Sequence, residues 1–437
     1  MAQQPRKINT NRAHGAQQPA QRSAQRPAPK TAARRTRTAQ AAHAQPGSGA
    51  SRQPARRSRY GKKIMSRIMW WMPLLAVLAL VVGAGAYAAS YVNRIVDSIE
   101  PDNTHAVIDE EVKTAPEYQG DIVGILVCGI DYEEGRAYGD TESNDGMTDM
   151  IMYVQFDVKN RKLNMLQIPR NTLVGKTITL ENGKKYKARN GQINSIALSN
   201  EEGIAALAAV VHNNYQLPVD YYVTIDMDAL VEVVDLFGGI EVYVPRDIAY
   251  GGSKLTQGYH NLDGASAEFF VRNRKGAGYE TSDLARLNMQ RYFYAGLFKR
   301  VATLVPKDIV KLMPVIMNNY ITTDCDVMTI ISLAVSFLKV DSANMMVCQT
   351  PVFMDCDYYE NNSIVVADAA AIGDLLNKYF RDYTGEVPVS QLNLMDWSRR
   401  GGGSSDPNIQ FMGQLHEQGN QAILEGNTDV EGAQVTG

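Results

Sequence analysis

Asp121-Ile-Val-Gly-Ile-Leu-Val-Cys-Gly-Ile-Asp131 is the stretch on which the fold turns. Between the two aspartates runs a short, continuously apolar segment that a turn then stops, which is the pattern of a buried strand. Working outward, residues 131–146 are polar with three glycines and read as a loop. Residues 150–157 and 162–168 give two further strand patterns, joined as a hairpin by Lys159-Asn160-Arg161. Residues 204–212 are rich in Ala and Val and read as a helix. A strand over 221–226 leads to a helix over 227–237, closed by Gly238-Gly239, where paired glycine suits a left-handed cap. A strand over 240–244 is stopped by Pro245. Residues 265–273 and 283–304 look helical or mixed, and Asp324 and Asp326 can cap a helix over 327–339. A strand at 345–350 and a closing helix at 367–380 complete the set. Strands alternating with helices predict one α/β domain over residues 119–385, followed by a flexible tail over 386–437. No internal repeat is visible.

The N-terminal part is of another kind. Residues 1–63 are Ala, Gln, Pro, Arg, Ser and Thr with almost no large apolar side chains, and predict a disordered tail. Residues 1–67 hold 16 of the chain's 44 Lys and Arg and none of its 47 Asp and Glu. No charged side chain occurs between Arg67 and Arg94, and Trp70, Trp71 and Tyr87 lie in that window. The run is long enough to span a bilayer as a helix, placed at 64–92. Basic residues just before it put the tail in the cytoplasm and the remainder outside a cell, as a single-pass protein of the cell membrane. A cleaved signal peptide, suggested by Ala86-Tyr87-Ala88, fits less well because the apolar run is too long. Residues 93–118 read as a stalk. The basic tail reads as a topology signal on a solvated linker, and no helix-turn-helix pattern fits in it, so no nucleic acid is expected. Cys128, Cys325, Cys348 and Cys356 leave three pairings open; Cys128 reads as a buried free thiol, and one bridge among the other three is conceivable.

The chemistry rests on scattered charges. Asp131 follows a buried strand and Asp149 precedes the next, so both belong at strand ends, where open α/β sheets keep their sites. Two hard oxygen ligands with room for phosphate and water suit Mg²⁺, with Mn²⁺ as a substitute. Arg170 ends Gln167-Ile-Pro-Arg170. Arg272 and Arg274 share a face if extended, and Arg286 and Gln290 share one if helical. Arginine stays charged and matches phosphate oxygens two at a time. Any single one reads as a surface salt bridge; four beside two aspartates predict a site for a metal-bound diphosphate. His212 and His260 stand alone, and Tyr221 and Tyr222 read as core or channel lining.

Leu126-Val-Cys-Gly-Ile-Asp131, Met147-Thr-Asp149, Gln167-Ile-Pro-Arg170-Asn-Thr, Gln192-Ile-Asn194, Val219-Asp-Tyr-Tyr-Val223, Val234-Asp-Leu-Phe-Gly-Gly-Ile-Glu-Val242, Leu262-Asp-Gly264, Val271-Arg-Asn-Arg274 and Asp283-Leu-Ala-Arg286-Leu-Asn-Met-Gln290 together resemble the LytR-CpsA-Psr family, in that family's order. The resemblance implies an α/β/α-type domain with a central mixed sheet flanked by helices, and a hydrophobic channel for a polyprenyl diphosphate lipid. It implies a Mg²⁺-dependent phosphotransferase that moves a glycopolymer, teichoic acid or capsule, to peptidoglycan. By position, Asp131 and Asp149 would hold the metal, and Arg170, Arg272, Arg274, Arg286 and Gln290 the diphosphate. Asp149, Asp283, Arg272 and Arg274 would carry catalysis, with Asp149 and Asp283 both open as general base. Met147, Gln192 and Met289 stand where the family commonly has cations. Two other functions stay open: a hydrolase of the lipid diphosphate, and a non-catalytic envelope assembly protein that binds it.

Overall fold

The computed structural model describes residues 106–131, 146–273, 276 and 283–415. The basic tail, the predicted span at 64–92, most of the loop after Asp131, Arg274 and everything from 416 on lie outside them. In chain order the elements begin with β1 (Ile122–Ile130), β2 (Thr148–Asp157) and β3 (Lys162–Ile168), then a hairpin of β4 (Thr177–Thr179) and β5 (Lys185–Lys187). There follow α1 (Ile196–Ser199), α2 (Ile204–Tyr215), β6 (Tyr221–Asp226), α3 (Met227–Leu236) and β7 (Ile240–Val244). A second hairpin of β8 (Ile248–Tyr250) and β9 (Ser253–Leu255) leads into β10 (Gly258–Leu262), α4 (Gly264–Arg272), α5 (Asp283–Ala302) and α6 (Pro306–Asn319). The chain continues through β11 (Thr322–Thr323), α7 (Val327–Phe337), β12 (Met345–Gln349), β13 (Val352–Cys356) and β14 (Val366–Ala367). Last come α8 (Ala369–Tyr379), β15 (Arg400–Ser404) and β16 (Gln410–Phe411).

Seven strands form the central sheet in the order β11-β6-β1-β2-β3-β12-β16. β2 is antiparallel to β1 and β3, while β6 runs parallel to β1 and β12 parallel to β3. The sheet is therefore mixed, as expected. Its interior strands are apolar because both faces are covered. Along β2, Ile151 and Tyr153 join one core with α2 and α8, whereas Met152 and Phe156 join a second core with α4 and α5. That alternation is the period-two geometry of a strand between two helical layers. Topology brings the C-terminal ends of β1, β3, β6 and β12 and the start of β2 to one edge of the sheet.

Several expectations need correction. Residues 106–118 are not a free stalk: Ile108 and Val112 are buried, and Thr114 donates to Asp220 through both its backbone N–H (2.8 Å) and its hydroxyl (2.7 Å). Residues 386–415 are not a loose tail either. Leu392, Met412 and Leu415 are buried, β15 pairs with β13, and β16 closes the edge of the central sheet beside β12. Asp326 caps α7, accepting from Met328 and Thr329 N–H at 3.0 Å each, but Asp324 does not. Its carboxylate accepts from Tyr222 N–H at 2.9 Å and Ile108 N–H at 3.2 Å instead, and burial pushes its pKa up. All four cysteines are free thiols, and burial raises the pKa of each.

Candidate functional site

Asp131 and Asp149 face one another across the β1–β2 pairing by way of a bulge. Gly129 is paired with Met150 and Ile130 with Thr148, which leaves Asp149 as the extra residue of β2. Asp149 was expected just before the strand; it lies inside it. In an unbroken strand Asp149 and Met150 would point to opposite faces, and a bulge removes that alternation. Both side chains now line the same cavity. Gly129 permits this close pairing, since a Cβ on it would sit 3.0 Å from that of Met150.

Arg272 and Arg286 arrive from helices in the layer above, and Arg170 from the turn after β3. Arg272 is the last residue of α4, so the extended pairing with Arg274 does not hold; Arg274 lies outside the described residues. Arg272 Nη2 donates to Asp131 Oδ1 at 3.0 Å and its Nη1 to Glu268 Oε1 at 2.9 Å. Arg286, on the first turn of α5 and 4% exposed, donates to the carbonyl of Asp149 at 3.0 Å and stands 2.9 Å from Asp283 Oδ1. Arg170, just past β3, donates to Asp149 Oδ2 at 2.5 Å and reaches Asp283 at 3.4 Å. Burial works against the Arg170 charge, but the carboxylates of Asp149 and Asp283 outweigh it and hold its pKa above the ordinary value. Neither Asp283 oxygen receives a well-aligned hydrogen bond, so its contact with Arg286 is one of charge rather than of hydrogen-bond geometry. The amide of Gln290 is engaged on both sides, donating to the Val271 carbonyl at 2.8 Å and accepting from the Tyr294 hydroxyl at 3.2 Å.

Two cavities meet at these charges. One, of about 80 Å³, has walls of Met150, Ile225, Met227, Leu230, Val271 and Phe293, with Asp131, Asp149, Arg272, Arg286 and Gln290 also lining it. The other, of about 450 Å³, shares Asp131, Asp149, Arg272 and Arg286 and opens past Glu268, Phe269 and Tyr250. The predicted residues therefore converge. Arg170 and Asp283 are absent from both linings and sit behind them, tied to Asp149 and Arg286.

The sequence reading missed Glu268, whose signal was its place four residues before Arg272 on one helix, and Leu230 and Tyr250, which nothing local marks. It also missed Arg291, fully buried on α5, where burial pulls its pKa down to about 10. Arg291 donates to Gln167 Oε1 at 2.8 Å and Gln410 Oε1 at 2.9 Å, fastening β16 to the layer that carries Arg286. Met147 and Met289, where the family commonly has cations, are buried. Gln192 donates instead to the Ser363 carbonyl at 2.7 Å.

A model of the LytR_cpsA_psr family matches residues 88–381. The chain belongs to this family. An uncharacterized protein of Staphylococcus aureus is 28% identical over 249 residues, covering 54% of this chain and 57% of the relative. The chain thus spans little more than half of that relative's length. The polyisoprenyl-teichoic acid–peptidoglycan teichoic acid transferase TagU of Bacillus anthracis is 28% identical over 253 residues, 55% of this chain and 72% of TagU. Among solved structures, that of B. subtilis TagV aligns with a TM-score of 0.47 at 23% identity, over 61% of this chain and 99% of the other.

Among the described residues no group of three or more His, Cys, Asp and Glu could hold a metal ion. Two carboxylates lining one cavity beside arginines are a poor cage for Zn²⁺ or Cu²⁺, which favour imidazole and thiolate. They do fit Mg²⁺, which keeps several waters and takes one or two carboxylates plus phosphate oxygens.

Proposed function

We propose that this chain is a membrane-anchored phosphotransferase that moves a glycopolymer of the teichoic acid or capsule type from a polyprenyl diphosphate carrier to peptidoglycan, outside the cell. The observation that carries this is the shared lining of the two cavities: Asp131, Asp149, Arg272 and Arg286 stand where an apolar pocket meets a polar opening. A diphosphate joining an alkyl chain to a sugar polymer has that same order of parts. Family membership and the name of the B. anthracis relative support the substrate class.

Arg272 and Arg286 would bind the diphosphate oxygens, with Arg170 contributing charge from behind Asp149. The acceptor hydroxyl attacks the phosphorus that bears the polymer, the bond from that phosphorus to the bridging oxygen breaks, and the lipid phosphate leaves. Negative charge grows on the leaving oxygens, which fixed guanidinium groups stabilise without reorganising. Asp131 and Asp149 would hold Mg²⁺, which supplies further charge neutralisation on the diphosphate when bound. Its place in the lining of both cavities favours Asp149 over Asp283 as acceptor of the hydroxyl proton, and Asp283, behind the lining, would position Arg170 and Arg286.

The test uses the full chain in lipid vesicles with a lipid diphosphate-linked polymer and peptidoglycan. Arg272→Ala and Asp149→Ala are each expected to lower transfer by about 10²-fold or more while circular dichroism stays native. A double variant that transfers at the native rate would remove the catalytic assignment. Product released free rather than coupled to wall material would mark the chain as a hydrolase instead.

A further inference from the structure

The helical hairpin α6–α7 packs Leu333 and Phe337 against the domain but leaves part of its apolar surface uncovered by the rest of the described residues. Residues 327–338, Val-Met-Thr-Ile-Ile-Ser-Leu-Ala-Val-Ser-Phe-Leu, contain no charged side chain, yet Ile331 alone of α7 is buried. Met328 is 49% exposed, and Val315 near the end of α6 is 40% exposed. Helices of soluble domains turn such a stripe inward. Lys307, Lys311 and Lys339, all exposed, lie at the ends of the two helices and along α6.

The chain also joins the domain at this end. Val107 is 63% exposed, and its neighbour Ile108 is fixed by its backbone N–H to the carboxylate of Asp324, three residues before α7. The uncharged run that predicts a membrane span precedes this point by only the residues 93–105, which fully extended reach about 45 Å. A short tether therefore arrives beside the exposed apolar end of the hairpin. On its inner side the hairpin packs Leu333 and Phe337 against the same core cluster as Leu230, which lines the apolar pocket.

We infer that the α6–α7 hairpin docks into the outer face of the lipid bilayer, its apolar side at the headgroup–acyl boundary and its lysines at the headgroups. Apolar helix faces with flanking lysine bind membranes in this way, most strongly those with anionic lipid. The inference rests on the proposed anchor and lipid-borne substrate, and concerns a surface that neither requires.

The test places the full chain in phosphatidylglycerol vesicles containing nitroxide-labelled lipid. An environment-sensitive fluorophore is attached at Ser332→Cys on α7 or at Asp374→Cys, an exposed position on α8; the native chain gives the labelling background. The expected result is quenching at 332 at least threefold greater than at 374, falling to the level at 374 in the Val315→Glu/Met328→Glu background. Equal quenching at 332 and 374, in protein that still floats with the vesicles after an alkaline wash, overturns the docking alone. Loss of flotation overturns the anchor, and the docking with it.

Discussion

Asp283→Asn separates a positioning carboxylate from one that takes part in the chemistry. The side chains of Arg286 and Asp283 are 4% and 16% exposed, and they meet at 2.9 Å. Arg170 also leans on Asp283 at 3.4 Å, but it keeps Asp149, so the loss falls on Arg286. Removing one partner of a largely buried ion pair costs about 3–5 kcal/mol. The isosteric amide preserves packing, which sets the expectation near about 3 kcal/mol. For a domain of this size, with about 2.1 cal/mol/K of unfolding entropy per residue, that is a fall of about 5 °C in Tm. Inorganic diphosphate with Mg²⁺ would, on the proposed function, give Arg286 a new counter-charge, and a ligand at 100 times its Kd stabilises by about 2.7 kcal/mol. Thermal unfolding of the full chain in micelles, with and without diphosphate, reads both quantities. The variant should lose stability in buffer and regain a larger share of it with diphosphate than the native chain gains. A fall in Tm under about 2 °C would refute the claim that Asp283 compensates Arg286. Equal stabilisation of both proteins by diphosphate would refute the claim that Arg286 meets the ligand.

Two further changes probe the scaffold. Gly124→Ala would bring its Cβ to 2.1 Å from the Pro218 carbonyl oxygen, a clash with backbone that cannot swing away; a loss of about 3 kcal/mol or more is expected in urea unfolding, and a loss below about 1 kcal/mol would contradict the packing described. His212 on α2 has its pKa lowered from 6.5 by burial. Below pH 6.5 the unfolded chain therefore binds a proton that the folded chain does not, so stability falls as pH drops from about 6.5 toward the folded value. His212→Leu should flatten Tm between pH 6.5 and 5, and an unchanged slope would dismiss the role.

What the sequence made legible was whatever burial on both faces or helical spacing imposes. β1, β3, β6, β7 and β12 follow from short apolar runs between turn residues, and α5 from its length. The orientation of Asp149 was not legible, because a bulge depends on the pairing of Gly129 and Ile130 with β2 and not on either strand's own pattern. The short hairpins β4–β5 and β8–β9 offer three residues a strand, too few to establish a period. α6 was readable in principle from Pro306 at its first position. The convergence of Arg272 and Arg286 on two sheet-edge aspartates, suggested by residue type alone, required α4 and α5 to fold back over one end of the sheet.

The charge at that junction makes a demand of its own. Among the described residues the ion pairs form two adjoining sets: Asp149 and Asp283 with Arg170 and Arg286, and Asp131 and Glu268 with Arg272. Each of these three guanidinium groups already has a carboxylate, so among the described residues a diphosphate meets no surplus of positive charge and must compete with the acids for the same donors. At about 4 Å and an effective dielectric near 20, one added unit charge is worth roughly 4 kcal/mol, enough to reverse the sign of binding. A divalent cation on Asp131 and Asp149 would cancel the two carboxylates that stand in the cavity, freeing Arg272 from Asp131 and leaving Arg170 and Arg286 with Asp283 alone between them, a net positive charge for the phosphate oxygens. Calorimetric titration of the full chain with inorganic diphosphate should therefore show affinity falling more than tenfold when Mg²⁺ is chelated. Asp131→Asn/Asp149→Asn, which removes the same two charges, should retain most of its affinity under chelation. Binding by the native chain that ignores chelation would show that the arginines alone suffice, and the aspartates would then lose their assignment to a metal.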